Sequence, residues 1–497
     1  MAAAYVLGID LGTSGARALV VDRQGAIVAQ AFAPLPAPAV VGAGGREQDA
    51  NLWWQAAASA VREALARLSA AGGQPRDVGA ACVDATSGTI VPVDARCVPL
   101  GPGLMYNDGR AGAQARGLNA AARAYGEGEG CNASYASAKI LWLREHAPAI
   151  GIGAARFLHQ TDFVNARLLG ATRAADVATD ESSALKTGYD IVARRWAGSL
   201  AVAGIDVGQL PPVVPGGSTL GPIGAGFAAD TGLPPDCRVV AGMTDGTAAA
   251  VASGAAAIGD GNTTIGTTLV WKLVAAGPVV DPQGRLYCHR HPGGAFLPGG
   301  AGNAGGEGLA HQVLGADPAP GAALDRLAAA LADAPPSGLL AYPLPRPGER
   351  FPFVDPGFAG FADPRARTGQ QRYRAALEGL ACVERWGYEV AAGLGAPADG
   401  AVWTTGVGAR HARWLQLRAD FLGRPVCRAV HPESGFGAAL VAAMNLWHDG
   451  DWQAAARLIR VDLACRPDPS RRSLCDDQYH AFRAACAARQ SPGARDE

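Results

Sequence analysis

The stretch Val6-Leu-Gly-Ile-Asp10-Leu-Gly-Thr13-Ser14-Gly-Ala-Arg-Ala-Leu-Val-Val-Asp22 carries the clearest fold information in this chain. Apolar residues on both sides predict two short strands, and the glycine-rich segment between them predicts the turn that joins them. Bare N–H groups in such a turn, beside the Thr13 and Ser14 hydroxyls, form a concave donor surface that suits phosphate oxygens. Asp10 ends the first strand and brings a carboxylate to the same place, as Mg²⁺ near phosphates requires. An ordinary glycine-rich hairpin is the alternative.

Length and composition narrow the class of protein. At 497 residues the chain exceeds what one hydrophobic core usually holds, so we expect two large domains. Hydrophobic residues make up 49% and charged residues 18%, which is typical of a globular protein, and a net charge of −1 makes nucleic acid an unexpected partner. Positive charge is carried by arginine, because lysine occurs only at positions 139, 186 and 272. We interpret this bias as base composition of the genome rather than function.

Cysteine usage and the N-terminal residues predict the compartment. The 10 cysteines include no C-x-x-C pair and no His/Cys cluster, which argues against a zinc site or a disulfide framework and favours a reducing compartment. The N-terminal residues lack a basic region and run directly into a strand, so we expect no signal peptide. No apolar run approaches the roughly 20 residues that span a bilayer. We therefore expect a cytoplasmic protein with no membrane partner.

The opening pattern recurs in the second half of the chain. Asn262-Thr-Thr-Ile-Gly266-Thr267-Thr268-Leu-Val-Trp-Lys-Leu273 again reads as a strand, a Gly/Thr turn and a strand. An internal repeat at this distance predicts a duplicated architecture with one phosphate-facing hairpin in each half. In both copies, turn-stabilising hydroxyls are the alternative reading.

The sequence also predicts helices and strands outside the two hairpins. Asp49 or Asn51 is expected to cap a helix that continues to Leu68, and residues 78–84 and 89–93 are expected to be strands. A long helix is predicted over 368–394. Residues 401–404 are predicted to form a strand, after which the glycine-rich turn 406–410 opens another helix. The tail beyond residue 447 is expected to be helical, with its last residues disordered.

Several separated motifs, in one order along nearly the whole chain, carry a family resemblance. They are Gly8-Ile-Asp10-Leu-Gly-Thr13-Ser14, Glu47-Gln-Asp49 with Trp53-Trp54, Asn107-Asp108-Gly-Arg110, Ala241-Gly-Met-Thr-Asp245-Gly, Ile265-Gly266-Thr267-Thr268 and Gly408-Ala409-Arg410 followed by Trp414-Leu-Gln416 and Ala419-Asp420. Together they resemble the FGGY carbohydrate kinases of the actin-like ATPase superfamily. The resemblance implies an α/β fold of two actin-like (ribonuclease H-like) domains with the active site in the cleft between them. It places the domains at 1–252 and 253–446, with a C-terminal tail at 447–497; the last helix of the second domain is expected to return to the first.

The resemblance also implies roles for individual residues. Asp245 is expected to be the catalytic base and to contact the sugar, although a carboxylate there could equally cap the helix that follows. Asp10 is expected to hold Mg²⁺ and face the substrate. The residues expected to bind ATP, the co-substrate, are Gly12, Thr13, Ser14, Gly266, Thr267, Thr268, Gly406, Gly408 and Ala409. Thr86, Ser87, Asp108 and Arg110 are expected to bind the sugar, with a surface ion pair as the alternative for Asp108 and Arg110.

Three segments point to a particular substrate within the family. Asp84-Ala-Thr86-Ser87-Gly-Thr89, Ala184-Leu-Lys186-Thr-Gly-Tyr189 and Tyr342-Pro-Leu-Pro-Arg346 resemble the pentulose kinases of cyanobacteria and plants that act on D-ribulose. Asn107-Asp108-Gly-Arg110 is closer to a xylulokinase. We therefore expect ATP-dependent conversion of D-ribulose to D-ribulose 5-phosphate, with D-xylulose or another ketose or polyol as the alternative substrate. A non-catalytic actin-like ATPase or sugar sensor is the alternative from a different class. The partners expected are the sugar and ATP, and the state a monomer or homodimer.

Overall fold

A computed structural model describes residues 3–128, 130–315 and 320–491, and the chain divides into two compact units. Unit 1 comprises Met1–Ala252, His289–Gly294 and Glu433–Ile459. Unit 2 comprises Ser253–Cys288, Ala295–Pro432 and Arg460–Glu497. Residues 492–497, for which we expected disorder, lie outside the described residues.

The strands of both units are numbered along the chain. They are β1 Tyr5–Leu11, β2 Gly15–Asp22, β3 Ile27–Pro34, β4 Ala39–Val41, β5 Gly45–Gln48, β6 Val78–Ala85, β7 Ile90–Val93, β8 Gly103–Leu104, β9 Arg156–His159, β10 Thr179–Asp180, β11 Tyr189–Asp190, β12 Arg195–Trp196, β13 Val213–Val214, β14 Thr219–Pro222, β15 Arg238–Thr244, β16 Gly261–Ile265, β17 Leu269–Leu273, β18 Leu286–Arg290, β19 Phe296–Ala301, β20 Val402–Gly406, β21 Val426–Ala429 and β22 Val461–Cys465.

The α-helices are numbered in the same way. They are α1 Ala50–Ala70, α2 Gly112–Tyr125, α3 Ala136–His146, α4 Pro148–Gly151, α5 Gln160–Leu169, α6 Glu181–Ala184, α7 Gly198–Val202, α8 Ala225–Thr231, α9 Asp245–Ser253, α10 Gly306–Leu314, α11 Pro320–Ala329, α12 Gly369–Gly393, α13 Ala412–Leu422, α14 Ser434–Trp447, α15 Trp452–Ala456 and α16 Arg472–Ala487. In the described part of the chain, none of them combines the length and the apolar character that a bilayer crossing demands.

The main sheet of unit 1 begins with the predicted hairpin. Its order is β14-β15-β6-β1-β2-β3, in which β1, β2 and β3 are antiparallel and β6 and β15 continue from β1 in parallel. The strands β1 and β6 are apolar on both faces, as parallel strands covered by helices must be. Helix α1 covers one face with Trp53, Val61 and Leu65, and the Asp49 carboxylate caps its first turn by accepting from the Asn51 N–H.

Helix α14 packs on the same sheet at very close range. A side-chain carbon at Gly8 in β1 would lie 2.0 Å from the Gly435 carbonyl oxygen, so the helix backbone rests directly on the strand. Residues 438–443 of this helix are buried, and most of them are alanine. The close approach of helix and strand leaves no room for a side chain at Gly8 or Gly435, which explains why both are glycine.

The sheet of unit 2 repeats this arrangement. Its order is β18-β19-β17-β16-β20-β21-β22; β16, β17 and β19 are antiparallel, and β20 and β21 follow β16 in parallel. The antiparallel trio followed by two parallel strands is the order of β3-β2-β1-β6-β15 in unit 1. The duplicated architecture predicted from the two Gly/Thr hairpins is therefore confirmed.

One segment has the expected element type but lies in a second sheet, and another segment differs from the expectation. Residues 90–93 form a strand, but β7 joins a second sheet of unit 1, β4-β5-β8-β7-β9, and does not continue the sheet of β6. Residues 461–465, expected in a helical tail, form β22, which pairs with β21 at the edge of the unit 2 sheet. Alternating side chains in Val-Asp-Leu-Ala-Cys suit an edge strand, and pairing with β21 outweighs the weak helical pattern of so short a segment.

Candidate active site

Three carboxylates meet at one edge of the unit 1 sheet. Asp10 in β1 lies directly opposite Asp84 in β6, and Asp84 in turn lies opposite Met243 in β15, two residues before Asp245. Because β1, β6 and β15 are parallel, their carboxyl ends come together, which is where open α/β sheets bind ligands. The expected metal residue Asp10 and the expected base Asp245 therefore share a site with Asp84.

Asp84 is the most unusual of the three carboxylates. Its side chain is 0% exposed, and among the described residues no donor lies within hydrogen-bonding distance of either carboxylate oxygen. Burial, followed by the negative charges of Asp10 and Asp245, raises the pKa of Asp84 well above its usual range. A buried carboxyl without donors is costly unless a proton or a cation accompanies it. Asp84 thus needs either a proton, which it would share with Asp10 in a hydrogen bond, or a nearby cation.

The Asp10 carboxylate has one polar neighbour in the helix above it. Burial raises the pKa of Asp10, while a hydrogen bond with Ser434 and the charge of Arg17 oppose that rise. In the described residues, no group of three or more His, Cys, Asp or Glu side chains is arranged to enclose a metal ion. Mg²⁺ beside phosphates is usually held by one or two carboxylates, with phosphate and water oxygens completing its shell. The pair Asp10 and Asp84 fits that mode of binding.

Asp245 stands where β15 turns into α9. The pairing of β15 with β6 shifts register between Val240 and Met243, which is a β-bulge just before Asp245. A side-chain carbon at Gly242 would lie 1.7 Å from the Val83 carbonyl oxygen, so only glycine fits the bulge. The Asp245 carboxylate accepts a 2.6 Å hydrogen bond from the Gly246 N–H and sits in the first turn of α9, where the helix end favours negative charge.

A buried hydroxyl network braces this turn. The Ser182 hydroxyl lies 2.8 Å from the Thr244 hydroxyl and 2.9 Å from the Thr247 hydroxyl. All three residues are buried. The network therefore fixes the residues on both sides of Asp245, as a catalytic side chain requires of its support.

The first predicted phosphate turn is short and open. The Gly12 N–H donates to the Gly15 carbonyl at 3.0 Å and closes the turn between β1 and β2. Thr13 is half-buried and Ser14 is exposed, so the turn is open to solvent. A ligand can reach the donors that the sequence placed in this turn.

The two hydroxyls expected to bind the sugar differ in their hydrogen bonding. Thr86 Oγ1 donates to Gln160 Oε1 at 2.6 Å and lies 2.6 Å from Thr89 Oγ1, so its proton is already committed. Ser87 Oγ is buried and has no partner among the described residues, and neither has Gln160 Nε2. Unpaired buried polar groups are rare without a ligand or water to satisfy them. Of the two, Ser87 keeps its hydroxyl for a ligand.

Asp108 and Arg110 form a buried ion pair rather than a surface one. Arg110 Nη2 lies 2.6 Å from Asp108 Oδ2 and 2.7 Å from Glu47 Oε1, and its guanidinium stacks over Trp142 at 4.1 Å. Burial raises the pKa of Asp108, but hydrogen bonds from Arg110 and from the Arg46 N–H outweigh it and leave that pKa below its usual value. The Asp108 oxygens are occupied by these donors, so the pair orders its loop.

In unit 2 the second predicted phosphate turn borders a cavity. The Gly266 N–H donates to the Thr268 carbonyl at 3.0 Å, the counterpart of the bond that closes the first turn, and Thr267 is exposed. The cavity has a volume of about 410 Å³. Its lining includes Gly266, Thr267, Gly306, Val407, His411 and Trp414. A pocket of this size suits a small-molecule ligand, so the second hairpin and the 406–410 turn serve one site.

The predicted nucleotide residues Gly406, Gly408 and Ala409 are not among the residues that line this cavity, although Val407 between them is. Gly406 has a φ of +77°, which glycine adopts without strain. A side-chain carbon at Gly408 would lie 2.7 Å from Ile265 Cβ, and Ala409 is buried, so close packing accounts for both small residues. Val407 is 41% exposed and lines the cavity.

Reasoning from the sequence missed four residues that the structure adds to the unit 1 site. These residues are Asp84, Gln160, Glu47 and Lys139. Asp84 opens the quoted motif Asp84-Ala-Thr86-Ser87-Gly-Thr89 but received no role there, although a carboxylate inside the apolar strand Ala80-Ala-Cys-Val-Asp84-Ala is itself a signal. Glu47 lies in a quoted motif. Nothing in the spacing of Gln160 or Lys139 reveals that they reach the other motifs.

Comparison with known proteins agrees with this architecture. The FGGY family of carbohydrate kinases matches over both of its parts, the N-terminal domain at residues 5–252 and the C-terminal domain at 261–446. Xylulose kinase from Klebsiella pneumoniae is 27% identical over 485 residues, covering 94% of this chain and 95% of that protein. Xylulose kinase from Streptomyces coelicolor is 32% identical over 311 residues, and that match spans 59% of each chain. The solved structure of xylulose kinase from Rhodospirillum rubrum has a TM-score of 0.82 and 29% identity, covering 97% of this chain and 98% of that chain.

The fold and these matches define an ATP-dependent phosphotransferase that acts on a sugar hydroxyl, with two domains of the actin-like ATPase type. The chain belongs to the FGGY family of carbohydrate kinases.

Proposed function

We propose that this enzyme transfers the γ-phosphoryl group of ATP to the terminal hydroxyl of a five-carbon ketose. The observation that carries the proposal is the meeting of Asp10, Asp84 and the braced Asp245 at one sheet edge, with the unpaired Ser87 hydroxyl on the loop after the middle strand. Phosphoryl transfer to an alcohol needs a proton acceptor, a cation site and donors for the phosphates. The Gly/Thr turns supply the donors.

D-xylulose is the first candidate substrate. The full-length relatives from Klebsiella pneumoniae and Rhodospirillum rubrum carry the name xylulose kinase, which supports what we first treated as the alternative. D-ribulose is the second candidate, because the segment Asp84-Ala-Thr86-Ser87-Gly-Thr89 resembles the D-ribulose kinases. The two ketoses differ only in configuration at C3, so one hydroxyl decides between them.

Asp245 acts as the general base in this proposal. Its carboxylate accepts the proton of the sugar's terminal hydroxyl as the oxygen bonds to the γ-phosphorus and the bond to ADP breaks. The Gly242 bulge and the Ser182 network hold the carboxylate at one position, which supplies the alignment on which such reactions depend. Lys186, which is half-buried, adds a cation near the reacting groups. Burial lowers the pKa of Lys186, and the negative charge of Asp245 opposes that lowering.

The other residues bind and orient the sugar and the nucleotide. Ser87 donates to or accepts from a sugar hydroxyl, and Asp108 acts on the sugar through Arg110. Thr13, Ser14, Thr267 and Thr268 contact phosphate oxygens, and the cavity at Val407 takes the adenosine. Mg²⁺, held by Asp10 with Asp84 beside it, would neutralise phosphate charge when bound.

The specificity of the enzyme is tested by comparing kcat/KM across D-xylulose, D-ribulose, L-ribulose, ribitol and glycerol with Mg-ATP. A preference of roughly tenfold or more for one pentulose assigns the substrate, since a single mispositioned hydroxyl has at least that effect. The variant Ser87→Ala should raise KM for the preferred ketose and leave KM for ATP unchanged. Activity confined to glycerol or ribitol would contradict the ketose proposal.

A further inference from the structure

Two of the three lysines of this chain are buried, and the third is half-buried. Lys139 is 0% exposed, Lys272 is 6% exposed and Lys186 is half-buried, whereas the surface cations are arginines. An arginine guanidinium spreads its donors in a plane, while an ammonium is a compact point that donates in several directions. A buried lysine therefore suits a place where its acceptors lie in different directions.

Lys139 has such a place. It projects from α3, and its Nζ donates to the Gly88 carbonyl at 2.8 Å and to the Met105 carbonyl at 2.7 Å. These two acceptors lie in separate segments, 86–89 after β6 and 103–108 around β8. One atom therefore ties together two loops that are distant in sequence.

Both acceptors adjoin a proposed sugar residue. Gly88 follows Ser87 directly and has a φ of +84°, so its carbonyl is aimed by a backbone conformation that favours glycine. The Met105 carbonyl also accepts the Asp108 N–H at 3.0 Å. The Lys139 amine and the Asp108 N–H thus donate to the same carbonyl, that of Met105. The other carbonyl that the amine contacts belongs to Gly88, the residue after Ser87.

Charged groups of both signs lie near the Lys139 amine. Burial lowers the pKa of Lys139 to about 7, the charge of Asp108 opposes that effect, and the charges of Lys186 and Arg110 add to it. The amine contacts two neutral carbonyls and has no direct carboxylate partner among the described residues. Hydrogen bonding to loops, rather than an ion pair, is what this side chain provides.

We propose that Lys139 is a positioning residue for the sugar, which holds the Ser87 loop and the Asp108–Arg110 loop in the register that the ketose requires. This inference rests on the proposed function. Lys139 makes no contact with the reacting atoms; it acts through the Gly88 and Met105 carbonyls. Its loss should affect binding of the sugar and leave the nucleotide pocket of unit 2 as it is.

The test compares the variants Lys139→Met and Lys139→Gln with the wild-type protein and with Lys272→Met, a change at another buried lysine. Hydrogen exchange followed by mass spectrometry reports on segments 86–89 and 103–108, and steady-state kinetics with the preferred ketose separates KM for sugar from KM for ATP. In Lys139→Met we expect exchange in both segments to accelerate by at least about tenfold, because their shared anchor is lost. We expect KM for the ketose to rise by about tenfold or more and KM for ATP to stay within about twofold, since each 1.4 kcal/mol is tenfold in affinity.

Each outcome decides between the alternatives. Unchanged protection of both segments, exchange that accelerates throughout unit 1, or an equal rise of both KM values would overturn the role of Lys139. If Lys139→Met does not fold, Lys139→Gln, which keeps a donor for one carbonyl, should show the same selective pattern at smaller size; an unselective pattern counts against the proposal. Lys272→Met should leave both segments and KM for the ketose unchanged. Wild-type protein without ketose-dependent turnover would overturn the proposed function instead, and the exchange measurements would still show whether Lys139 holds the two loops.

Discussion

Asp10 and Asp84 lie directly opposite each other in the parallel strands β1 and β6, one partly accessible and the other fully buried without a hydrogen-bond donor in the described residues. Two acidic side chains in this arrangement repel each other unless a proton or a cation lies between them. The site is therefore at its least stable when it is empty and ionised, and binding of a cation should stabilise the whole of unit 1.

The first prediction concerns Asp84 and Mg²⁺. Replacing Asp84 by Asn removes one negative charge and keeps the size of the side chain, so the metal-free protein should melt at the same temperature or roughly 1–3 °C higher at neutral pH. Added Mg²⁺ should stabilise the wild-type protein more than Asp84→Asn, because a cation is held better by two carboxylates than by one. Thermal melts across a Mg²⁺ titration, without nucleotide, measure both effects. Equal stabilisation of the two proteins by Mg²⁺ would remove Asp84 from the metal site.

The bulge before Asp245 gives the second prediction. In Gly242→Ala the new methyl group would meet the Val83 carbonyl, so β15 must shift away from β6 and Asp245 must move with it. We expect a loss of roughly 1–3 kcal/mol in the free energy of unfolding, as overpacking usually costs. Urea denaturation checks the loss, and kcat should fall as well. Gly117→Ala in α2 is the matched control: a methyl group there meets no atom within 4 Å, so the change should be neutral or stabilising.

The pH dependence of stability provides the third prediction, through Asp180. Burial, with the charge of Asp162 next, raises the pKa of Asp180 to about 6 from 3.8. The folded protein therefore binds this proton more tightly than the unfolded chain does. The resulting stabilisation is complete below pH 4 and disappears as pH rises through 6, and it amounts to about 3 kcal/mol.

Asp180→Asn should remove that part of the pH dependence. Asparagine can still accept from the Ser183 N–H, which caps α6, so the fold should be retained. Urea denaturation from pH 4 to 7.5 should show the wild-type protein losing stability relative to the variant as pH rises. Asp230→Asn, at an exposed carboxylate in α8, serves as the control and should follow the wild-type curve. Parallel curves for Asp180→Asn and wild type would refute the assignment.

The cavity in unit 2 gives the fourth prediction. Phenylalanine at Val407 would occupy part of the 410 Å³ space that we assign to adenosine. KM for ATP should rise by roughly tenfold or more, and KM for the ketose should stay nearly constant, because the sugar residues belong to unit 1. Val430→Phe is the control, since Val430 is similarly exposed at 43% but follows β21 and is not among the residues lining the cavity. A rise in KM for the ketose alone would show that the cavity has another occupant.

How much the sequence predicted depended on whether a feature was local. The two Gly/Thr hairpins and the Asp49 cap follow from nearest neighbours along the chain, and the structure confirms them. Residues 90–93 were recognised as a strand but not as part of a second sheet, because pairing partners are chosen by tertiary packing. The same reason explains β22 in the expected helical tail.

The site shows the same division. Asp10 and Asp245 could be named because the motifs that carry the family resemblance include the end of β1 and the start of α9, and the structure places both residues at one sheet edge. The positions of Lys139 and Gln160 in the site depend on contacts between residues far apart in the sequence. Lys139 and Met105 are 34 positions apart, and Gln160 and Thr86 are 74 positions apart. No local pattern encodes such contacts. Their roles, like those of the ATP-binding and sugar-binding residues, stay predictions.

The central claim, that Asp245 is the base of a ketose kinase, is tested most directly by ADP release with Mg-ATP in the presence and absence of D-xylulose or D-ribulose, for wild type and Asp245→Asn. We predict strong stimulation by one ketose and a loss of roughly 10²–10⁴-fold in that stimulated rate in Asp245→Asn, with ketose binding retained. Ketose that binds without stimulating ADP release would identify a sugar sensor rather than a kinase. Stimulation that survives in Asp245→Asn would contradict the role of this carboxylate.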